Sequence, residues 1–158
     1  MFRDMRRKNQ LLPPEEAESI LRQGTSGVLS LLGDDGYPYG LPIDYWYNEA
    51  DGKLYFHGAK EGHKIDAIRA CDKASFCIHD EGVRMDGEWP LHFRSVIVFG
   101  RIAPVTDEAA TALACKELSR KFTPDDEYFN KEYAAAKDRV LCLALTPEHI
   151  TGKRIKEN

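Results

Sequence analysis

The sequence predicts an α+β fold that is mainly β: a small antiparallel barrel with helices packed against its outside. Asp34-Asp35-Gly36 and Asp51-Gly52 are hairpin turn chemistry between apolar, alternating segments. Gly40 and Pro42 mark a bend, bulge or edge inside a long strand segment. The segments show no regular strand–helix–strand alternation, which argues against a parallel doubly wound sheet. About six strands and four helices are expected, in one domain over residues 1–158.

Pro13-Pro14-Glu15-Glu16 starts a first helix, about residues 14–23, because proline suits the first turn and carboxylates suit its positive end. Ala17, Ile20 and Leu21 form its apolar stripe and Gly24 closes it. Gly27 to Leu32 is an apolar strand. Tyr37 to Tyr47 reads as one long strand, with Leu41, Ile43, Tyr45 and Tyr47 on one face and Gly40, Pro42, Asp44 and Trp46 on the other. Lys53 to His57 returns as the next strand. Residues 62–71 form a short helix whose Ile65, Ile68 and Cys71 share a face.

Ala74 to His79 is a strand, 80–91 is polar and irregular, and Phe93 to Val105 is a long β segment. Thr106-Asp107-Glu108 caps a helix with the stripe Ala110, Leu113, Ala114, Leu118 and Phe122. Thr123-Pro124-Asp125-Asp126 opens another, rather polar helix, with Pro124 at its first position. Val140 to Leu145 is the last strand, Pro147 ends it, and the charged tail, about 147–158, is peripheral.

Composition narrows the function classes. The 158 residues carry a net charge of −4, which gives nucleic acid little to hold. The basic cluster Arg3, Arg6, Arg7 and Lys8 is short and terminal. No apolar run approaches the roughly 20 residues of a membrane span, and the N-terminus lacks a signal peptide's apolar segment. The expected location is therefore cytoplasmic. Cys71, Cys77, Cys115 and Cys142 include no CxxC pair, and Cys71, Cys77 and His79 match no zinc knuckle, so no metal site is expected. No GxSxG elbow, GxGxxG turn or GxxxxGK[ST] loop is present.

The most informative stretch is Tyr55-Phe56-His57-Gly58-Ala59-Lys60-Glu61-Gly62-His63-Lys64. A strand ends at His57-Gly58, a glycine-broken turn follows, and a helix opens on His63 and Lys64. Free amides, a helix N-terminus and an ammonium converge there, and a phosphate fits such a point.

These residues, with Met5-Arg6-Arg7-Lys8, Leu41-Pro42-Ile43-Asp44-Tyr45, Glu61-Gly62-His63-Lys64-Ile65 and Arg94 through Gly100, stand in the same order as in the flavin-binding, pyridoxamine 5′-phosphate oxidase-like split-barrel proteins. The sequence resembles their nitroimidazole-resistance, nitroreductase-like branch over roughly residues 5–146. The resemblance implies an antiparallel split β-barrel homodimer with FMN at the subunit interface. It implies that Pro42, Ile43, Asp44 and Tyr45 pass beside the ring, and that His57, Gly58 and Ala59 line the cofactor. Gly62, His63 and Lys64 would hold the phosphate, and Ser95 and Val96 complete the site. The implied activity is FMN-dependent electron transfer from a reduced nicotinamide donor to a small acceptor such as a nitroaromatic or quinone. A non-catalytic flavin carrier or sensor, and a barrel holding haem or deazaflavin, are the rival readings. The arginine of the oxidases' phosphate clamp is replaced by His63, and the tail holds no tryptophan, so the resemblance does not extend to pyridoxamine phosphate oxidation.

His57 has two readings, a donor to flavin or substrate and a strand histidine bonded to a carbonyl. Trp89, Trp46, Tyr45 and Tyr47 either cover a flat ring or fill core and interface. Asp44 in an apolar strand needs a backbone donor or solvent.

Overall fold

The computed structural model describes residues 1–156. One antiparallel sheet curls into a half-barrel, with four α-helices flanking it. Its strands are β1 (Ser26–Leu32), β2 (Pro38–Asp44), β3 (Trp46–Asn48), β4 (Lys53–Ala59), β5 (Lys73–His79), β6 (Val83–Arg84), β7 (Leu91–Pro104) and β8 (Val140–Lys156). The order is β2-β1-β5-β7-β8-β4-β3, with β6 paired to β7. The helices are α1 (Pro14–Gln23), α2 (His63–Ala70), α3 (Glu108–Arg120) and α4 (Asp126–Ala136).

The main core fills the concave side. Leu29, Phe56, Phe76, Val96, Val98, Ile102, Leu143 and Leu145 point inward from alternating strand positions, and α1 adds Ala17, Ile20 and Leu21. A second cluster, Tyr55, Ala114, Cys115 and Cys142, lies on the other side of β4 and β8 beneath α3. Each of these two strands therefore has both faces covered at that end.

Five local expectations are corrected. The segment Tyr37 to Tyr47 is two strands, broken at Tyr45, whose amide donates to the Thr25 carbonyl and whose hydroxyl donates to the Leu21 carbonyl at 2.6 Å. These bonds turn the chain out of one ladder and into the next. The strand read as ending at His57-Gly58 continues to Ala59, because Gly58 and Ala59 pair with Leu141 and Val140. The 80–91 segment contains β6, paired to Leu91 and His92. The α3 stripe is rotated: Ala114, Cys115 and Leu118 are buried, while Leu113 and Phe122 are exposed. Pro124 precedes α4, whose N-cap is Asp125, a carboxylate that accepts from the amides of Glu127 and Tyr128.

The largest correction concerns the C-terminal tail. Pro147 does not end the last strand; β8 runs on to Lys156, and only residues 157–158 of the expected tail lie outside the described residues. The β7–β8 register jumps there: Phe99 pairs with His149 and Gly100 with Pro147, leaving Glu148 as the extra residue of a bulge. A proline lacks the amide a regular ladder needs, and the bulge removes that demand.

Candidate functional site

β4 and the turn after it organise the site. Leu54 and Phe56 face the main core, whereas Tyr55 faces the second cluster. By alternation Gly58 continues the first face and His57 the second. Successive residues of the expected site therefore serve opposite sides of one strand.

On the Gly58 side, the chain turns at Gly62 (φ 115°), a backbone angle that favours glycine, and enters α2. The amides of Ile65 and Asp66 donate to the Gly62 carbonyl. Those of His63 and Lys64 precede the first intrahelical bond, so they remain free for a ligand. The Lys64 side chain folds back over Gly58: a Cβ there would lie 2.5 Å from Lys64 Nζ. No carboxylate pairs with this ammonium among the described residues. Burial pulls its pKa below the ordinary lysine value. A half-buried, unpaired ammonium beside free helix amides, packed over a glycine with room for nothing larger, matches a phosphate in charge and in donors.

His63 turns away from that point. Its ring stacks on Tyr39 with centroids 4.0 Å apart, and Nε2 lies 3.8 Å from an Asp34 carboxylate oxygen in the β1–β2 turn. It braces α2 against the hairpin.

On the His57 side, α3 and α4 roof a cavity of about 390 Å³. The sheet curls until β2 approaches β4, so Asp44 and His57 both line this space. Phe122, Tyr128, Phe129 and Tyr133 supply aromatic walls. Phe122 belongs to the apolar stripe expected for α3, whereas Tyr128, Phe129 and Tyr133 form an aromatic repeat that the polar composition of α4 conceals.

The remaining expected residues are distributed unequally. Tyr45 and Val96 are fully buried in the core and offer no side-chain surface. Ile43 packs against the core from a half-buried position, and Ala59 and Gly62 are exposed around the turn. Pro42 belongs to a row, Pro42–Val28–Cys77–Ile97, that crosses the outward face of the sheet. Ser95 sits on that same face one pleat from Ile97, about three strand spacings or ~14 Å from the Pro42 edge. On this face Val28, Ile97 and Phe99 are themselves 43%, 39% and 40% exposed. Of the other aromatics, Tyr47 is core, Trp46 packs on Tyr55 in the second cluster, and Trp89 is exposed.

Lys121, just after α3, reaches across the barrel closure. Its ammonium lies 4.4 Å from the centre of the Tyr45 ring and donates to the Gly24 carbonyl. Burial pushes its pKa down to about 8, with Asp44 acting weakly in the opposite sense. The unfolded chain keeps this proton up to about 10.5, so between pH 8 and 10.5 it binds more protons than the fold. The contribution of Lys121 to stability therefore rises with pH across that window, and its full burden is felt below pH 8. The melting temperature of the wild type minus that of Lys121→Met is expected to climb between about pH 7.5 and 9.5. A flat or falling difference would contradict a buried ammonium.

Among the described residues, no group of three or more His, Cys, Asp or Glu side chains is placed to hold a metal, and no helix is long and apolar enough to cross a membrane.

Residues 13–154 match the family described as pyridoxamine 5′-phosphate oxidase. No match is found among curated proteins. Among solved structures, a candidate 5-nitroimidazole antibiotic resistance protein from Bacteroides thetaiotaomicron is similar, with TM-score 0.74 and 20% identity over 91% of this chain and 86% of that one. The FAD binding protein from Mycobacterium smegmatis has TM-score 0.68 and 21% identity, covering 94% of this chain and 99% of its own. A flavocytochrome from Azotobacter vinelandii has TM-score 0.76 and 19% identity, covering 98% and 73% respectively. At these identities the likeness shows a shared split-barrel fold.

Proposed function

This chain belongs to the pyridoxamine 5′-phosphate oxidase family, and on that premise we propose that it is an FMN-dependent oxidoreductase that reduces a small, flat acceptor such as a nitroaromatic or quinone with electrons from a reduced nicotinamide. The observation that carries the flavin reading is Lys64: an unpaired ammonium, half-buried against Gly58 at the N-terminus of α2. When bound, the flavin supplies the redox chemistry, accepting a hydride and passing electrons on.

The chain's residues supply binding and orientation. Lys64 and the amides of His63 and Lys64 hold the phosphate, and Gly58 keeps the space open for the lysine. Gly58 and His57 face opposite sides of β4, so Gly58 and Lys64 would serve the phosphate on one side and His57 the acceptor on the other. Asp44, His57 and the aromatic walls of the cavity orient the acceptor. His57 is the proposed proton-handling residue, since an imidazole ring carries both a donor and an acceptor nitrogen.

The proposed assembly is a homodimer. Outward-facing Val28, Ile97 and Phe99, on two neighbouring rows, make an apolar strip on the face that carries Pro42 and Ser95. A second copy seated on it would bury the strip.

The test is the absorption spectrum of the protein as purified, followed by mass identification of what heat releases. Bound FMN, reducible by NADH or NADPH and reoxidised by a nitroaromatic or quinone, is the expected outcome. Released FAD would make that dinucleotide the cofactor in place of FMN, as the name of the FAD binding protein from Mycobacterium smegmatis suggests for that neighbour. Stable flavin without turnover would make the protein a carrier. No flavin as isolated and no uptake of added FMN would overturn the proposal.

A further inference from the structure

Four cysteines are free in the reduced chain, and two of them meet. Cys115 lies on α3 and Cys142 on β8, 27 residues apart in sequence, with their sulfurs at 3.4 Å. Nothing in the proposed flavin chemistry uses them. Their surroundings are otherwise apolar: Tyr55 and Ala114 pack beside them in the second cluster. Bonded sulfurs sit at roughly 2 Å, a closure that side-chain rotation and a small approach of α3 can supply.

The pair is asymmetric in access. Cys115 lines the cavity that contains His57 and keeps 9% of its surface exposed, so a small solute approaches it from that side. Cys142 is fully buried and touches that solute only through Cys115. The Cys142 thiol has two acceptors in reach, Cys115 Sγ and the Thr111 carbonyl at 3.8 Å. Turned to Cys115, it stabilises a thiolate there and lowers that group's pKa, while its own rises. Cys142 also stands directly opposite His57 in the β4–β8 register.

We propose that Cys115 and Cys142 form a reversible disulfide in response to hydrogen peroxide, a crosslink that fastens α3 to β8 beside His57. Cys115 sulfur attacks the peroxide: an S–O bond forms, the O–O bond breaks, and the departing hydroxide takes a proton to leave as water. The sulfur is oxidised to a sulfenic acid as the peroxide is reduced. Cys142 then attacks that sulfur; the S–S bond forms, the S–O bond breaks, and a second water leaves. Two thiols and one peroxide give one disulfide and two waters. A dithiol reductant reverses the change. The roof of the cavity is thereby tied to its floor, and entry to His57 becomes sensitive to oxidant.

The experiment exposes the full-length protein to one equivalent of hydrogen peroxide, alkylates the remaining thiols and maps the peptides by mass. The expected product joins the peptides of Cys115 and Cys142, two hydrogens lighter than their sum, and is undone by dithiothreitol, with Cys71 and Cys77 still alkylated. In Cys142→Ser, treated instead with two or more equivalents of peroxide, Cys115 is expected to proceed through the sulfenic to the sulfinic acid, one peroxide consumed at each stage, because its resolving partner is gone. Wild-type protein in which both thiols stay reduced, in which Cys115 over-oxidises without crosslinking, or in which Cys71 or Cys77 is the partner would overturn the proposal. Mapping of the wild type decides the matter even if the serine variant folds poorly.

Discussion

Lys64→Ala is expected to weaken FMN binding about 30-fold, while riboflavin binding changes little. A charge-assisted contact to a phosphate contributes about 2 kcal/mol, and each 1.4 kcal/mol is roughly a factor of ten in the dissociation constant. Lys64 has no carboxylate partner to release and sits half-buried, so its removal costs the fold little and relieves a desolvated charge. The loss therefore appears in ligand affinity and not in melting temperature. Riboflavin lacks the phosphate, so the difference between the two ligands isolates this contact from any general damage to the pocket.

Gly58→Ala is the companion variant. Its new methyl group would stand 2.5 Å from Nζ and 3.4 Å from Cε of Lys64. The flexible lysine yields before the strand does, so the fold survives and the ammonium is displaced from the α2 N-terminus. FMN affinity falls and riboflavin affinity holds, as in Lys64→Ala. Titration by quenching of flavin fluorescence reads all four combinations. Equal losses for both flavins, or FMN retained undiminished through dialysis of Lys64→Ala, would remove the anion seat from the account.

Features written in local chemistry were legible before the fold was seen. Pro14, Glu15 and Glu16 mark the start of α1, and Asp51-Gly52 marks its hairpin, because caps and tight turns depend on a few adjacent residues. Lys64 after Gly62 was legible for the same reason. Features set by pairing were not. Whether His57 and Gly58 share a ligand depends on which face of β4 the core takes, and β8, more than eighty residues later, decides that. The break at Tyr45 comes from carbonyls on Thr25 and Leu21, which no pattern within the strand announces. The meeting of Cys115 with Cys142 follows from α3 crossing β8, and spacing alone carries no trace of it.

Pro147 is the instructive misreading, and it leads to the largest expected effect on stability. A proline after an apolar run ordinarily stops a strand. Here the bulge lets β8 pass through it, and Gly100 on β7 makes the bulge possible. A Cβ on residue 100 would lie 2.1 Å from the Thr146 carbonyl oxygen and 3.0 Å from Pro147 Cα. Both are backbone atoms, so no side chain can swing aside, and the β7–β8 ladder must part where it is longest. Gly100→Ala is expected to cost about 3 kcal/mol, the upper end of ordinary overpacking, or roughly 6–12 °C in melting temperature for a domain of this size. Gly40→Ala supplies the comparison: it is also a strand glycine, but its Cβ would find its nearest neighbours at 3.5 and 3.7 Å, which is ordinary contact. It should melt within a degree or two of the wild type. If Gly100→Ala melts with Gly40→Ala, the two backbones do not approach as described, and the continuous pairing of β7 with β8 beyond Pro147 loses its physical basis.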